Sequence, residues 1–142
     1  VCSSDLRKTL MRQAKRLGIG HAVHIQPGMS FDKLALHFRS ADLVVYPSYY
    51  EGQGLIPLEA LASGTPVVTV DQAPLTEMID ETVGGLFTCG DPEDLARAVN
   101  HCLSNPEQRT EQMVRGRQRV LDHYTYEHNA VAYERIYESV LE

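Results

Sequence analysis

The sequence predicts an α/β protein: a Rossmann-like parallel sheet with helices on both faces. Leu43-Val44-Val45-Tyr46 and Val67-Val68-Thr69-Val70 are continuous apolar runs, the pattern of strands buried on both faces of a parallel sheet. Segments of helical period stand between and after these runs, and such alternation means a parallel sheet with helical cover. Glycine, proline and capping residues fall at the junctions.

Taken in order, Leu6 to Leu17 reads as a helix, with Leu6, Leu10, Ala14 and Leu17 at apolar positions and Gly18 as its stop. Val23 to Gln26 is expected to be a short strand ended by Pro27-Gly28. Ser30 suits the cap of a helix from Phe31 to Arg39. The strand at Leu43 leads into a glycine loop, a helix from near Leu55, and the strand from Val67 to Val70. Pro74 opens a short helix through Ile79, and Gly84-Gly85 leads into a brief strand at Leu86-Phe87-Thr88. Asp91-Pro92 and Asn105-Pro106 each place a capping side chain before a first-turn proline, which starts two further helices. The final helix, about 126–141, carries Tyr126, Ala130, Tyr133, Tyr137 and Val140 on one stripe, which reads as core. This counts about four strands against the roughly six of a doubly wound unit, so the others are expected before Leu6.

The 142 residues are 43% hydrophobic with a net charge of −6. An acidic chain disfavours a general nucleic-acid surface, because phosphate backbones call for basic patches. Arg7, Lys8, Arg12, Lys15 and Arg16 crowd one helix and Arg115, Arg117 and Arg119 another; both read as solvated faces. No apolar run has the length of a membrane span, so membrane association is expected only through sequence outside this chain. Cys2, Cys89 and Cys102 lack metal-ligand spacing, and no histidine pairs with carboxylates at such spacing. No metal and no cofactor are expected, and reduced thiols point to the cytoplasm.

The chemistry concentrates between Pro47 and Val68. Gly52 and Gly54 let the chain turn with positive φ and let a ligand approach backbone free of Cβ. Pro57 sits in the first helical turn, where its missing N–H costs nothing. The open N–H groups and the dipole at that helix end favour an anion such as phosphate. Glu51 brackets the loop. Glu59 lies one turn into the helix, and helical side chains lean toward the N-terminus, so its carboxylate turns to the same mouth. In open α/β sheets ligands bind beyond the carboxyl ends of strands, where this loop falls. Glycines before a helix are common turn chemistry, and a first-turn Glu is often only a dipole partner. The joint pattern of strand, Glu, two glycines, proline, second Glu, Gly64 and strand favours a binding site.

Glu51 and Glu59, separated by seven residues, together with Ala41-Asp42 and Gly64-Thr65-Pro66-Val67-Val68, resemble the signature of the group 1 retaining nucleotide-sugar glycosyltransferases of GT-B fold. The likeness extends loosely from about Leu10 to Tyr137. It implies two Rossmann-like domains facing a cleft, with this chain as most of the C-terminal, donor-binding one, truncated at its N-terminus. The implied reaction transfers a hexosyl group from a UDP- or GDP-linked sugar to a glycan, lipid or small-molecule acceptor, with retention of configuration. By the same resemblance, Glu51 is the catalytic residue at the donor sugar. Gly52, Gln53, Gly54, Leu55 and Ile56 bind sugar and diphosphate, Glu59 the ribose, and Pro27, Gly28 and Met29 the base. The final helix and some of its tyrosines reach a missing N-terminal domain that holds most of the acceptor. Gln53 replaces a frequent aromatic residue and Asp71-Gln72-Ala73-Pro74 a commoner glycine-rich turn; both bear on the donor sugar.

Val1-Cys2-Ser3-Ser4-Asp5-Leu6 resembles a translated sequencing adaptor, so residues 7–142 are expected to be the genuine domain. Expressed alone, this chain is expected to transfer no sugar. Two rival readings remain: another Rossmann-like enzyme such as a sugar-nucleotide epimerase or dehydrogenase, and a non-catalytic nucleotide-sugar-binding module. No Gly-x-Gly-x-x-Gly follows a strand, which disfavours the dehydrogenase.

Overall fold

The computed structural model describes residues 4–141. They form two compact units, one up to Leu34 and one from Ala35 onward. In the first, α1 (Ser4–Arg16) ends at Gly18, whose φ of 76° is open to a residue without Cβ. The turn closes with the N–H of Ile19 on Ala14 O and that of Gly18 on Lys15 O, both at 3.0 Å. Of the six residues read as adaptor-derived, Val1, Cys2 and Ser3 lie outside the described residues, while Ser4, Asp5 and Leu6 stand in α1.

Val23 to Gln26 does not form the expected strand. Val23 and Ile25 are half-buried and His24 and Gln26 exposed, an alternation suited to a strand. Among the described residues, however, the only sheet has three strands, and this segment is not one of them. The helix α2 (Phe31–Ser40) begins in the first unit and ends in the second.

The second unit holds a parallel sheet of β1 (Val44–Tyr46), β2 (Val67–Val70) and β3 (Gly84–Phe87), ordered β1-β2-β3. Val44 pairs with Val67 and Val67 with Gly84, which sets the register. The central strand β2 is buried along its whole length, whereas β1, at the sheet edge, leaves Val45 40% exposed. The expectation that the first run is buried on both faces is therefore corrected: an edge strand has a neighbour on one side only, and helical cover does not close over Val45. Between the strands stand α3 (Leu55–Ala62) and α4 (Leu75–Met78), and after them α5 (Pro92–Ser104), α6 (Pro106–His123) and α7 (Tyr126–Leu141).

Capping follows the sequence. Asp91 Oδ1 accepts from the N–H of Glu93 and Asp94, and Asn105 Oδ1 from that of Gln108. Gly64, at φ 80°, closes α3. The core joins Leu58, Leu61, Val67, Val68, Leu75, Ile79, Val83 and Phe87 with Ala98, Cys102 and Val120 from α5 and α6. Gly85 and Gly116 let helices close on this core: a Cβ at Gly85 would stand 3.3 Å from Cys102 Sγ, and one at Gly116 2.7 Å from Leu61 Cδ2.

Two readings of helix faces change. No residue of α7 is buried, and Tyr126, Tyr133, Tyr137 and Val140 are exposed, so their stripe is not core in this chain. Its amphipathic pattern meets no covering element among the described residues. On α6, Arg117 donates to Ala62 O at the end of α3, and Arg119 to Met78 O, Asp80 and Thr82. These two arginines brace loops rather than line a solvated face.

Gly84 is the tightest point of the sheet, since a Cβ there would overlap the Val67 carbonyl. Backbone cannot yield as a side-chain tip can, so Gly84→Ala should destabilise the protein by at least about 3 kcal/mol, the upper range for overpacking. Gly85→Ala, which meets the side chains of Cys102 and Val68, should cost clearly less. Urea unfolding midpoints of the two variants check the order.

Candidate functional site

Because β1, β2 and β3 are parallel, their carboxyl ends point the same way and the loops that follow them share one edge of the sheet. The loop after β1 runs from Pro47 to Gly54. Ser48 Oγ donates to Tyr50 O at 2.8 Å, which turns the chain back and leaves Tyr49 and Tyr50 exposed. Gly54 is the N-cap of α3 at φ 84° with no side-chain cap. Leu58 N–H reaches Gly54 O at 3.4 Å, and Pro57 has no N–H to place. The N–H groups of Leu55 and Ile56 begin the helix, where no preceding turn supplies carbonyls to them. Both residues are exposed.

The Glu51 carboxylate folds back onto this loop. Its Oε2 accepts the hydroxyl of Tyr46, and its Oε1 accepts the N–H of Gly52 at 3.0 Å and of Gln53 at 3.3 Å. The Tyr46 hydroxyl, followed by the N–H groups of Gln53, Gly54 and Gly52, holds the Glu51 carboxyl below its ordinary value. The same hydrogen bond raises the Tyr46 phenol. Each partner thus favours one form of the other: an ionised carboxylate and a neutral, donating phenol.

Glu59 is different. It is half-buried, and among the described residues its carboxylate has no hydrogen-bond or ion-pair partner. Pro57, Leu58, Ala60 and Leu61 turn into the core, so Glu59 shares the outer face of α3 with Leu55 and Ile56. An open cleft of about 390 Å³ lies between the loops after β1 and β2, lined by Ser48, Tyr49, Tyr50, Glu51, Gln72 and Leu75 among others.

This edge therefore offers an oriented carboxylate, a partnerless carboxylate and open helix N–H groups. The family model of glycosyl transferases group 1 matches residues 3–119. The chain belongs to that family. Its fold is the Rossmann-like one of GT-B glycosyltransferases. It is 40% identical over 99 residues to a D-inositol 3-phosphate glycosyltransferase of Streptomyces griseus, covering 69% of this chain and 21% of that protein. Sucrose-phosphate synthase from Thermosynechococcus elongatus superposes with a TM-score of 0.85 at 29% identity, over 95% of this chain and 34% of that one. Anabaena HepE, crystallised with UDP, gives a TM-score of 0.80 at 25% identity, over 96% of this chain and 36% of that one. The chain thus spans about a fifth to a third of the length of these relatives.

In this group 1 chain, the loop and helix around Gly54 bring Glu51, Gly52, Gln53, Gly54, Leu55, Ile56 and Glu59 onto one segment of the second unit. Pro27, Gly28 and Met29 belong to the first, where Pro27 and Gly28 are exposed and Met29 half-buried. The sequence reading did not single out Tyr46, Ser48 or Gln72 as site residues. A tyrosine closing an apolar strand five positions before a glutamate was the available signal for Tyr46.

Gly54 should tolerate no side chain. A Cβ there would stand 2.7 Å from Met78 Cε and 2.8 Å from Leu75 Cδ2, in a left-handed conformation. Gly54→Ala should lose about 1–2 kcal/mol from the backbone conformation alone, with more from the collision. A lowered melting temperature is the expected result, and a thermal melt measures it.

Proposed function

We propose that residues 7–142 are the donor-binding part of a cytoplasmic glycosyltransferase that moves a hexosyl group from a nucleotide-diphosphate sugar to an acceptor, with retention of configuration. The observation that carries this reading is Glu59: a half-buried carboxylate, partnerless among the described residues, on the same helix face as the open N–H groups of Leu55 and Ile56. A half-buried acid without a partner suits a ligand that brings hydrogen-bond donors, and the helix end beside it suits an anion. A nucleotide diphosphate has both, in its ribose hydroxyls and its phosphates.

In this reading the diphosphate oxygens meet the N–H groups of Leu55 and Ile56 and the loop at Gly52, Gln53 and Gly54. As the bond between the sugar carbon and the diphosphate breaks, its electron pair goes to the diphosphate. Preorganised N–H dipoles stabilise that charge with little reorganisation. Glu51 accepts hydroxyls of the donor sugar near the reacting carbon, and Glu59 those of the ribose. A UDP- or GDP-linked donor fits this arrangement, and the likeness to Anabaena HepE, crystallised with UDP, supports the former. The acceptor is held mainly by an N-terminal domain, through which any membrane association arises.

The full-length protein should be stabilised in a thermal melt by UDP or GDP and not by NAD, since a ligand of the folded state raises stability by mass action. The reverse order would favour a dehydrogenase. Glu59→Gln should weaken nucleotide-diphosphate binding by about 1–2 kcal/mol, the range for a charge-assisted hydrogen bond; an unchanged calorimetric affinity removes Glu59 from the site. Glu51→Gln should lower turnover more than nucleotide affinity, as for a group acting in the transition state. Equal effects on the two would count against that role.

A further inference from the structure

We propose that Tyr46 is a positioning residue for transfer: its hydroxyl fixes the Glu51 carboxylate so that one acceptor position faces the donor sugar. The proposal rests on the reading of Glu51 given above. An ionised carboxylate has about four acceptor positions. Three hydrogen bonds are in place, one from Tyr46 on Oε2 and two from the N–H groups of Gly52 and Gln53 on Oε1, and the N–H of Gly54 also turns toward the carboxylate. The remaining position on Oε2 is available to a single sugar hydroxyl, and the group cannot rotate away from it without breaking its bonds.

The strand supplies this at little cost. The Tyr46 ring packs against the core, and its main-chain carbonyl accepts the Thr69 hydroxyl at 2.9 Å. The end of β1 is thereby held in place, and the Tyr46 hydroxyl reaches Glu51, which lines the cleft. Phenylalanine would fill the same space, so the hydroxyl is not needed for packing. The other ionisable groups lining this cleft are Tyr49 and Tyr50, both strongly exposed, and no cation lies among its lining residues. Tyr46 and the loop N–H groups are therefore what aim the Glu51 carboxylate and hold its carboxyl below its ordinary value.

The test uses the full-length protein and the nucleotide hexose it cleaves, with release of nucleoside diphosphate as readout. Tyr46→Phe should reduce kcat by up to about a hundredfold, the scale of a misplaced catalytic group, with little change in KM. Losing the hydroxyl raises the Glu51 pKa, so the acid limb of the kcat profile should move to higher pH. Fluorotyrosine at position 46 keeps the ring and strengthens the donor, and should move that limb to lower pH. It also serves if Tyr46→Phe folds poorly. Loss of melting temperature with an unmoved acid limb in both variants would mean that the hydroxyl only ties the loop, and would overturn the proposal. Glu51→Gln run alongside separates the two levels. Full turnover there removes the role of Glu51 and with it that of Tyr46. Impaired turnover there with an unaffected Tyr46→Phe removes Tyr46 alone.

Discussion

The second unit depends on the enclosure of β2. Val67, Val68 and Thr69 are fully buried and Val70 nearly so, so this strand's backbone groups must find partners inside the protein. β1 and β3 supply them on either side, in parallel. Parallel pairing has a geometric consequence that antiparallel pairing lacks: the loops after all three strands emerge at one edge. The close approach of β3 calls for glycine at 84, and the buried Thr69 hydroxyl is satisfied by the carbonyl of Tyr46. That bond joins the enclosed strand to the residue from which the candidate site begins.

The helix α6 holds this edge in place from the opposite side. Gln112, almost fully buried, donates to Glu81 O and Gly84 O, while Arg119 gathers Met78 O, Asp80 and Thr82. Both anchor the connection between α4 and β3. Arg117 reaches Ala62 O and so supports the end of α3 opposite Gly54. Charged side chains bonded to main-chain carbonyls fix loop geometry, which a net-charge reading of the same arginines cannot reveal.

Local chemistry made most elements legible. Capping residues and glycines act within a few positions, and Gly18, Gly64, Asp91 and Asn105 each sit where the sequence put them. What failed depended on neighbours distant in sequence. Val23 to Gln26 alternates like a strand, but a strand needs a partner. Leu43 to Tyr46 is as apolar as Val67 to Val70, yet only the sheet order makes one an edge and the other a centre. The stripe on α7 carries a core pattern, yet none of its residues is buried among the described residues. At the site, the segment with both glutamates was readable because it is contiguous. The partner of Glu51 was not, because a strand tyrosine has the same apolar signature whether or not its hydroxyl reaches a carboxylate.

The two glutamates occupy one segment but differ in freedom, and that difference follows from where each stands. Glu51 lies in a tight glycine loop whose own N–H groups point inward, so a carboxylate there is captured locally. Glu59 lies in regular helix, where main-chain donors beyond the first turn are already used, and its neighbours on the outer face are the aliphatic Leu55 and Ile56. No protein donor is left for it among the described residues. A captured carboxylate is preorganised and loses little entropy when a ligand group meets it, which suits a role at a reacting centre. A free carboxylate beside open N–H groups gains most of its hydrogen bonding only when a ligand arrives, which suits affinity. The backbone around Gly54, rather than the identity of the two acids, separates those roles.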